Sequence, residues 1–196
     1  MAARRRLDPA QRRAELIDVG ARLFAAKPYE QVLMEDVAER AGVSRALLYR
    51  YFPTKRELFA AIHRQATARL LAASEFDGTG PLVEQLTAAL EAHIDYFAAN
   101  SHVVLAANRE LAGDPVVQAV IADEFAVLRR RLLDATGLEG RPREVVSAAV
   151  TGWLVFVRTL CVDWLANDTF SRAELRDVCV GALLGALDPV VDIRPL

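Results

Sequence analysis

The stretch MEDVAERAGVSRALLYRYF, residues 34–52, restricts this chain more than any other. Ala38 is small where a second helix would approach a first. Gly42 follows four residues later, where the chain must turn sharply and a positive φ is favoured. Leu48 lies ten residues after Ala38 and closes a small core with Val37 and Val43. This is helix-turn-helix spacing. The second helix would present Ser44, Arg45, Ala46, Leu47, Tyr49, Arg50 and Tyr51. Arg45, at that helix's N-terminus, can donate two hydrogen bonds to guanine in a major groove. Ser44, Tyr49, Tyr51 and Lys55 suit phosphate contacts, which position a protein without reading sequence. Thr54, beside Lys55, joins this set of DNA-facing candidates. Leu47 and Tyr49 also suit packing against the first helix, and Arg50 suits a solvated face.

The rest of the chain reads as helices too. Proline avoids helix interiors, strand-like alternation is rare, and start signals recur. Asp8-Pro9 sets an N-cap before proline at the first helical position. Thr54 to Glu57 and Ser171 to Glu174 have capping-box spacing. Asp114-Pro115 and Arg141-Pro142 look like further starts. The pattern predicts nine helices and no strands, near 9–27, 35–41, 45–51, 55–76, 81–99, 102–111, 115–136, 142–167 and 171–187. Breaks are expected at Gly78-Thr79-Gly80, at Gly113-Asp114-Pro115 and over 137–142. Pro189 and Pro195 predict an irregular tail.

Charge divides the chain unevenly. Residues 1–64 carry 13 Lys+Arg and 8 Asp+Glu, a net of +5, whereas residues 65–196 carry 11 and 18, a net of -7. A basic end on an acidic body suggests that the first third meets a polyanion. Arg4-Arg5-Arg6 can reach a phosphate or a narrow minor groove, or serve as a solubilising tail. The basic start has no apolar stretch behind it, so no signal peptide is expected. No apolar run is expected to reach membrane-spanning length. These features predict a cytoplasmic protein with no membrane partner. Cys161 and Cys179 are too few for a disulfide framework and read as buried thiols. His63, His93 and His102 lack metal-site spacing, so no metal or cofactor is expected. Neither a nucleophile elbow nor a phosphate-cradling glycine loop is present, which argues against an enzyme.

Residues 142–167 are the most apolar long segment. Trp153, Phe156, Val157, Leu160 and Trp164 recur at three- and four-residue steps and share a stripe. Val145, Ala149, Gly152, Val155, Thr159 and Val162 line much of the rest, so the helix must be covered on most sides. Over 171–187 the stripe is Leu175, Val178, Ala182 and Leu187. Gly181 and Gly185 stand four apart; each costs about 1 kcal/mol against alanine in a helix. A closely approaching helix offsets that cost, whether from a second copy or from the same chain. Val155, Thr159, Val162, Val178, Gly181, Ala182 and Gly185 are the candidate dimer interface. Trp153, Phe156, Val157, Leu160 and Trp164 also suit the wall of an apolar pocket. His93, Phe97, Asn100, Asn108, Arg109 and Phe125 would face them, with Asn100, Asn108 and Arg109 as its few polar groups. Each of these residues suits plain core packing as well.

The segment from Ile17 to Leu58 resembles the TetR family of one-component bacterial transcriptional regulators. The likeness rests on Gly20-Ala21-Arg22-Leu23-Phe24, Tyr29-Glu30, Asp36 to Ser44, Leu48 to Phe52, Lys55 and Glu57-Leu58-Phe59. It implies an all-α chain with a three-helix DNA-binding domain at 1–54. A ligand-binding and dimerisation domain would follow at 55–196, entered through a connecting helix at 55–76. The resemblance implies a homodimer on a palindromic operator, joined by a four-helix bundle of the last two long helices. Tyr49 and Lys55 would hold phosphates, and Arg45 and Ala46 would face bases. Two departures stand out. Val32-Leu33-Met34 replaces the usual Ser or Thr at the start of the second helix, and Tyr51 replaces a common His. The expected function is a repressor released from its operator by a small apolar or amphipathic effector. The competing expectation is a DNA-binding scaffold with a filled core and no effector.

Overall fold

Local start signals set where the helices begin. The computed structural model describes residues 8–73 and 81–190. Its elements are α1 (Pro9–Ala26), a 3-10 turn (Tyr29–Gln31), α2 (Met34–Arg40), α3 (Arg45–Tyr51), α4 (Lys55–Ala73), α5 (Leu82–Ala99), α6 (Ser101–Asn108), α7 (Pro115–Thr136), α8 (Gly140–Asn167) and α9 (Arg172–Leu187). The fold is all-α, with no strand among the described residues. The arm Arg4-Arg5-Arg6, the break Gly78-Thr79-Gly80, residues 74–76 and Pro195 lie outside the described residues.

Asp8 and Ser171 close reciprocal capping boxes with Gln11 and Glu174. The Thr54 hydroxyl accepts from the Glu57 amide at 3.2 Å. Asp114 accepts from the amides of Val116 and Val117. Each cap satisfies N–H groups that a helix start would otherwise leave open. Two boundaries differ from expectation. α8 starts at Gly140 behind Glu139 rather than at Arg141-Pro142. Pro142 still lies in the first turn, where its missing N–H costs nothing. α6 ends at Asn108, where the Arg109 amide bonds the Leu105 carbonyl at 2.9 Å.

Two apolar clusters organise the chain. The first joins Leu16, Leu23 and Phe24 of α1, Val37 and Ala38 of α2, and Leu48 of α3 to Leu58, Phe59 and Ile62 of α4. It continues into Val103 and Ala107 of α6 and Val117 and Ile121 of α7. Gly20 admits the close approach of α1 to α4: a Cβ there would meet Ile62 Cδ1 at 2.9 Å. The second cluster joins Leu90, Ile94 and Phe97 of α5, Leu132 and Leu133 of α7, Val150, Trp153 and Val157 of α8, and Leu175, Cys179 and Leu183 of α9. Trp153 Nε1 donates to the Cys179 carbonyl at 2.7 Å, pinning α8 to α9. Phe125 of α7 packs against both clusters.

Helix α8 is long and apolar enough to cross a membrane by length and composition, which corrects the expectation that no segment reaches that length. Over 145–162 Arg158 is the single charge, so the aliphatic and aromatic side chains keep the mean hydropathy high across the intervening Ser147, Thr151 and Gly152. Here one side of α8 packs into the second cluster through Val150, Trp153, Leu154, Val157 and Cys161.

Candidate functional site

Two regions gather the residues singled out from the sequence. The first is the surface of α3. α2 ends in a Schellman turn: Gly42 takes φ +62°, its amide bonds the Glu39 carbonyl at 2.9 Å, and the Val43 amide bonds the Ala38 carbonyl at 2.9 Å. Ser44 then caps α3, its hydroxyl accepting from the Leu47 amide at 3.2 Å. Leu48 points wholly inward. Arg45, Ala46, Tyr49 and Arg50, at helical steps i, i+1, i+4 and i+5, share the exposed face. Leu47 and Tyr51 are half-buried at its edges. Leu33 caps α2 without a side-chain hydrogen bond, as its apolar side chain dictates.

Electrostatics prepare this face unevenly. Arg45 is 70% exposed in its side chain and lies 3.4 Å from Glu35, a surface pair that water and salt weaken. Its guanidinium is therefore free to exchange partners. Arg50 lies over the Tyr51 ring at 5.7 Å. Lys55 is held more firmly. Its ammonium lies 4.2 Å from the Tyr29 ring centroid and donates to the Glu30 carbonyl at 3.4 Å. Burial pushes the Lys55 pKa down, and the Glu30 carboxylate opposes that shift. Tyr29 packs edge-on to Phe59 at 5.3 Å, so the first core fixes where this lysine stands. Thr54, exposed beside it, spends its hydroxyl on the α4 cap.

The second region is a cavity of ≈ 50 Å³ between α5, α7 and α8. Its walls are Leu86, Ala89, Leu90 and His93 of α5, Phe125, Leu128 and Leu132 of α7, and Trp153, Leu154 and Val157 of α8. His93, Phe125, Trp153 and Val157 thus come together as the sequence suggested. The other pocket candidates lie elsewhere. Phe97 sits behind His93, ring to ring at 4.2 Å. Leu160 and Trp164 pack against the second cluster without lining the cavity. Asn100 donates to the Tyr96 carbonyl at 2.8 Å and Asn108 to the Val104 carbonyl at 2.7 Å, so both amides serve helix ends. Arg109 is exposed beyond α6. Phe156 is 38% exposed on the outer face of α8, turned away from the cavity.

That outer face is continuous with the exposed side of α9. Val155 and Val178 are 51% and 52% exposed, and Thr159, Gly181, Ala182 and Gly185 are exposed with them. Val162 is half-buried at the edge. A Cβ added at Gly152, Gly181 or Gly185 would meet nothing within 4 Å. Among the described residues, no helix of the same chain therefore accounts for these glycines.

One feature was missed from the sequence. Glu124 of α7 and Arg158 of α8 form a buried ion pair, Arg158 Nη2 donating to Glu124 Oε2 at 2.8 Å. Phe97 and Phe125 cover the guanidinium, with centroids at 5.5 and 5.2 Å. The signal was present: Arg158 is a single charge within the apolar run 145–162. Its partner, 34 residues away, was not legible. His63 and His93 lie near enough to feel the pair, and burial pushes both imidazoles down to about 4. Burial likewise raises the Tyr96 phenol, further raised by the Glu124 carboxylate. Cys161 and Cys179 are pushed up by burial to about 12 and about 11, which leaves them as unreactive thiols.

Comparison with known proteins agrees with the α3 geometry. The sequence profile described as bacterial regulatory proteins, tetR family, matches residues 16–62. The chain is 25% identical over 177 residues to the HTH-type transcriptional activator FasR of Mycolicibacterium smegmatis, covering 83% of this chain and 76% of that protein. It is 31% identical over 122 residues to the HTH-type transcriptional repressor AcnR of Corynebacterium glutamicum, covering 61% of each. A tetR-family regulator from Streptomyces coelicolor superposes with a TM-score of 0.82 at 23% identity, over 94% of this chain and 83% of that one. The helix-turn-helix geometry and the matched profile together identify residues 16–62 as a DNA-binding segment of the tetR-family type, in a chain similar over most of its length to bacterial transcriptional regulators.

Proposed function

We propose that this regulator is a homodimer that reads a palindromic operator with α3 and leaves it when a small apolar or amphipathic effector enters the α5–α7–α8 cavity. The observation that carries the reading is Phe125. It lines the cavity and packs against both apolar clusters, including the one that holds α1 to α4. A ligand that displaces this ring strains the core that positions α3. Arg56 at the start of α4 lies 3.8 Å from Asp114, the cap of α7, a second tie between cavity and DNA face. The division at residue 54 is thus one of roles, since packing crosses it.

On DNA, Arg45 and Ala46 would face bases. Ser44, Tyr49, Tyr51 and Lys55 would set register on the backbone, with Leu47, Arg50 and Thr54 beside them on the same DNA-facing surface. The exposed faces of α8 and α9 would pair with those of a second copy, placing two α3 helices about 34–36 Å apart on successive major grooves. Repression is the simplest outcome for a dimer that occupies an operator until ligand removes it. An effector shifts that equilibrium only by its different affinities for the two states.

Selection of operator sequences from random duplex DNA, followed by anisotropy titration with and without a compound library, tests the reading. Loss of operator affinity on saturation with a bound compound is expected. Unchanged affinity for every bound compound overturns it. A cavity of ≈ 50 Å³ favours the second reading, a DNA-binding scaffold with a filled core, because ligand pockets commonly hold roughly 300–1,000 Å³. Under that reading the fluorescence of Trp153 and Trp164 responds to no small apolar molecule.

A further inference from the structure

Phe125 touches both the apolar cavity, which it lines, and the Arg158–Glu124 pair, whose guanidinium lies over its ring at 5.2 Å. The pair uses one nitrogen and one oxygen. Glu124 Oε1, Arg158 Nε and Nη1 and the Tyr96 hydroxyl are buried and have no hydrogen-bond partner among the described residues. Leaving such groups unpaired is unfavourable, most of all for charged ones. The rings of Phe97 and Phe125 cover the faces of the guanidinium but cannot accept from its N–H edge in plane. What remains open is a donor edge beside an acceptor oxygen.

The charge balance narrows the match. Arg158 and Glu124 cancel. His63 and His93 are kept neutral by burial, and Tyr96 is an un-ionised phenol. A carboxylate or phosphate entering here would add an uncompensated negative charge beside Glu124. An ammonium would add an uncompensated positive charge beside Arg158. A neutral group that both accepts and donates satisfies both sides at once, its oxygen toward Arg158 and its N–H toward Glu124.

We propose that Arg158, Glu124 and Tyr96 form the polar end of the effector site, reached when the Phe125 ring swings aside, and that the effector is an uncharged apolar molecule bearing a carboxamide. This rests on the effector reading above and adds the ligand's chemical class. The apolar cavity takes the body of the molecule, and the volume Phe125 vacates takes its head.

The test uses three compact one-ring probes with the full chain at pH 7.5: benzamide, benzoate and methyl benzoate. Binding is read by calorimetry and Trp153 fluorescence, and operator affinity is measured on the same samples. Benzamide is expected to bind at least about tenfold more tightly than the other two, the discrimination that unpaired buried polar groups impose. Phe125→Ala should strengthen benzamide binding about tenfold by removing the ring that must swing aside. Glu124→Gln, which leaves Arg158 uncompensated, should turn the preference to benzoate. Tyr96→Phe, a milder change, should weaken benzamide about threefold and serves if Glu124→Gln does not fold. Equal binding of all three probes overturns the proposal, as does binding of none to either the native chain or Phe125→Ala. The regulatory reading fails separately. Benzamide preference with unchanged operator affinity keeps this site and counts against ligand control of DNA binding.

Discussion

Arg158 and Glu124 carry opposite charges out of water, and their mutual attraction offsets only part of that desolvation. Removing one partner strands the other. Arg158→Met is expected to lose about 3–5 kcal/mol in urea denaturation, whereas Arg158→Met with Glu124→Leu should recover most of it. His63 sits against the same pair from α4, buried and without a hydrogen-bond partner. Its folded pKa of about 4 lies below the ordinary 6.5. The unfolded chain therefore binds the extra proton between those values. Stability should fall by about 1.4 kcal/mol per pH unit as pH drops from 6.5 toward 4, with no contribution from this group above 6.5. Denaturation at pH 7 and pH 4.5 checks the sign, and His63→Leu should reduce the slope by that amount, leaving the equal share of His93, whose imidazole burial lowers alike. On the DNA face, residues differ in what they read. Arg45→Ala should cost about 1–3 kcal/mol on the selected operator and relax preference at one base pair. Lys55→Ala should weaken all sequences alike and reduce the salt slope by about one.

Among the helices, α8 and α9 show what a lone chain leaves unresolved. Their inner faces meet through Trp153 and Cys179, while Val155, Phe156, Val178 and the α9 glycines remain outside. In a single chain, alanine at Gly181 and Gly185 has open space and a helix propensity better by about 1 kcal/mol each. If a second copy packs there, the added methyl groups meet it. Gly181→Ala with Gly185→Ala is therefore expected to raise the melting temperature of the monomer while weakening the dimer, as read by sedimentation. A dimer strengthened along with the monomer would place the interface elsewhere. The starts of α1, α7 and α9 were readable from Asp8, Asp114 and Ser171, because capping depends on residues within one turn. The rotation of α8 and α9 was not. Leu175, Cys179, Leu183 and Leu187 turn inward, where Leu175, Val178, Ala182 and Leu187 were expected as one stripe, so Val178 and Ala182 fall outside it. When nearly every side of a helix is apolar, periodicity names no single inner face.

Across the whole molecule, Phe125 links the distal cavity to the core beneath α3. Phe125→Ala should reduce the effector-induced change in operator affinity about tenfold, since the linking ring is gone. Anisotropy titrations of both proteins with one effector measure this coupling. The sequence alone determined the all-helical class, the capped starts of α1, α4, α7 and α9, and the α3 face with Arg45, Ala46, Tyr49 and Arg50 outward. These rest on capping, turn chemistry and side-chain spacing within a few residues. It also marked His93, Phe125, Trp153 and Val157 for the cavity. Only the tertiary structure decided that Asn100 and Asn108 serve helix ends, that Phe156 turns outward, and that Arg158 meets Glu124 beside His63. Those outcomes depend on the relative rotation and crossing of α4, α5, α7 and α8. That packing is settled by competition among many similar apolar contacts between residues distant in the chain.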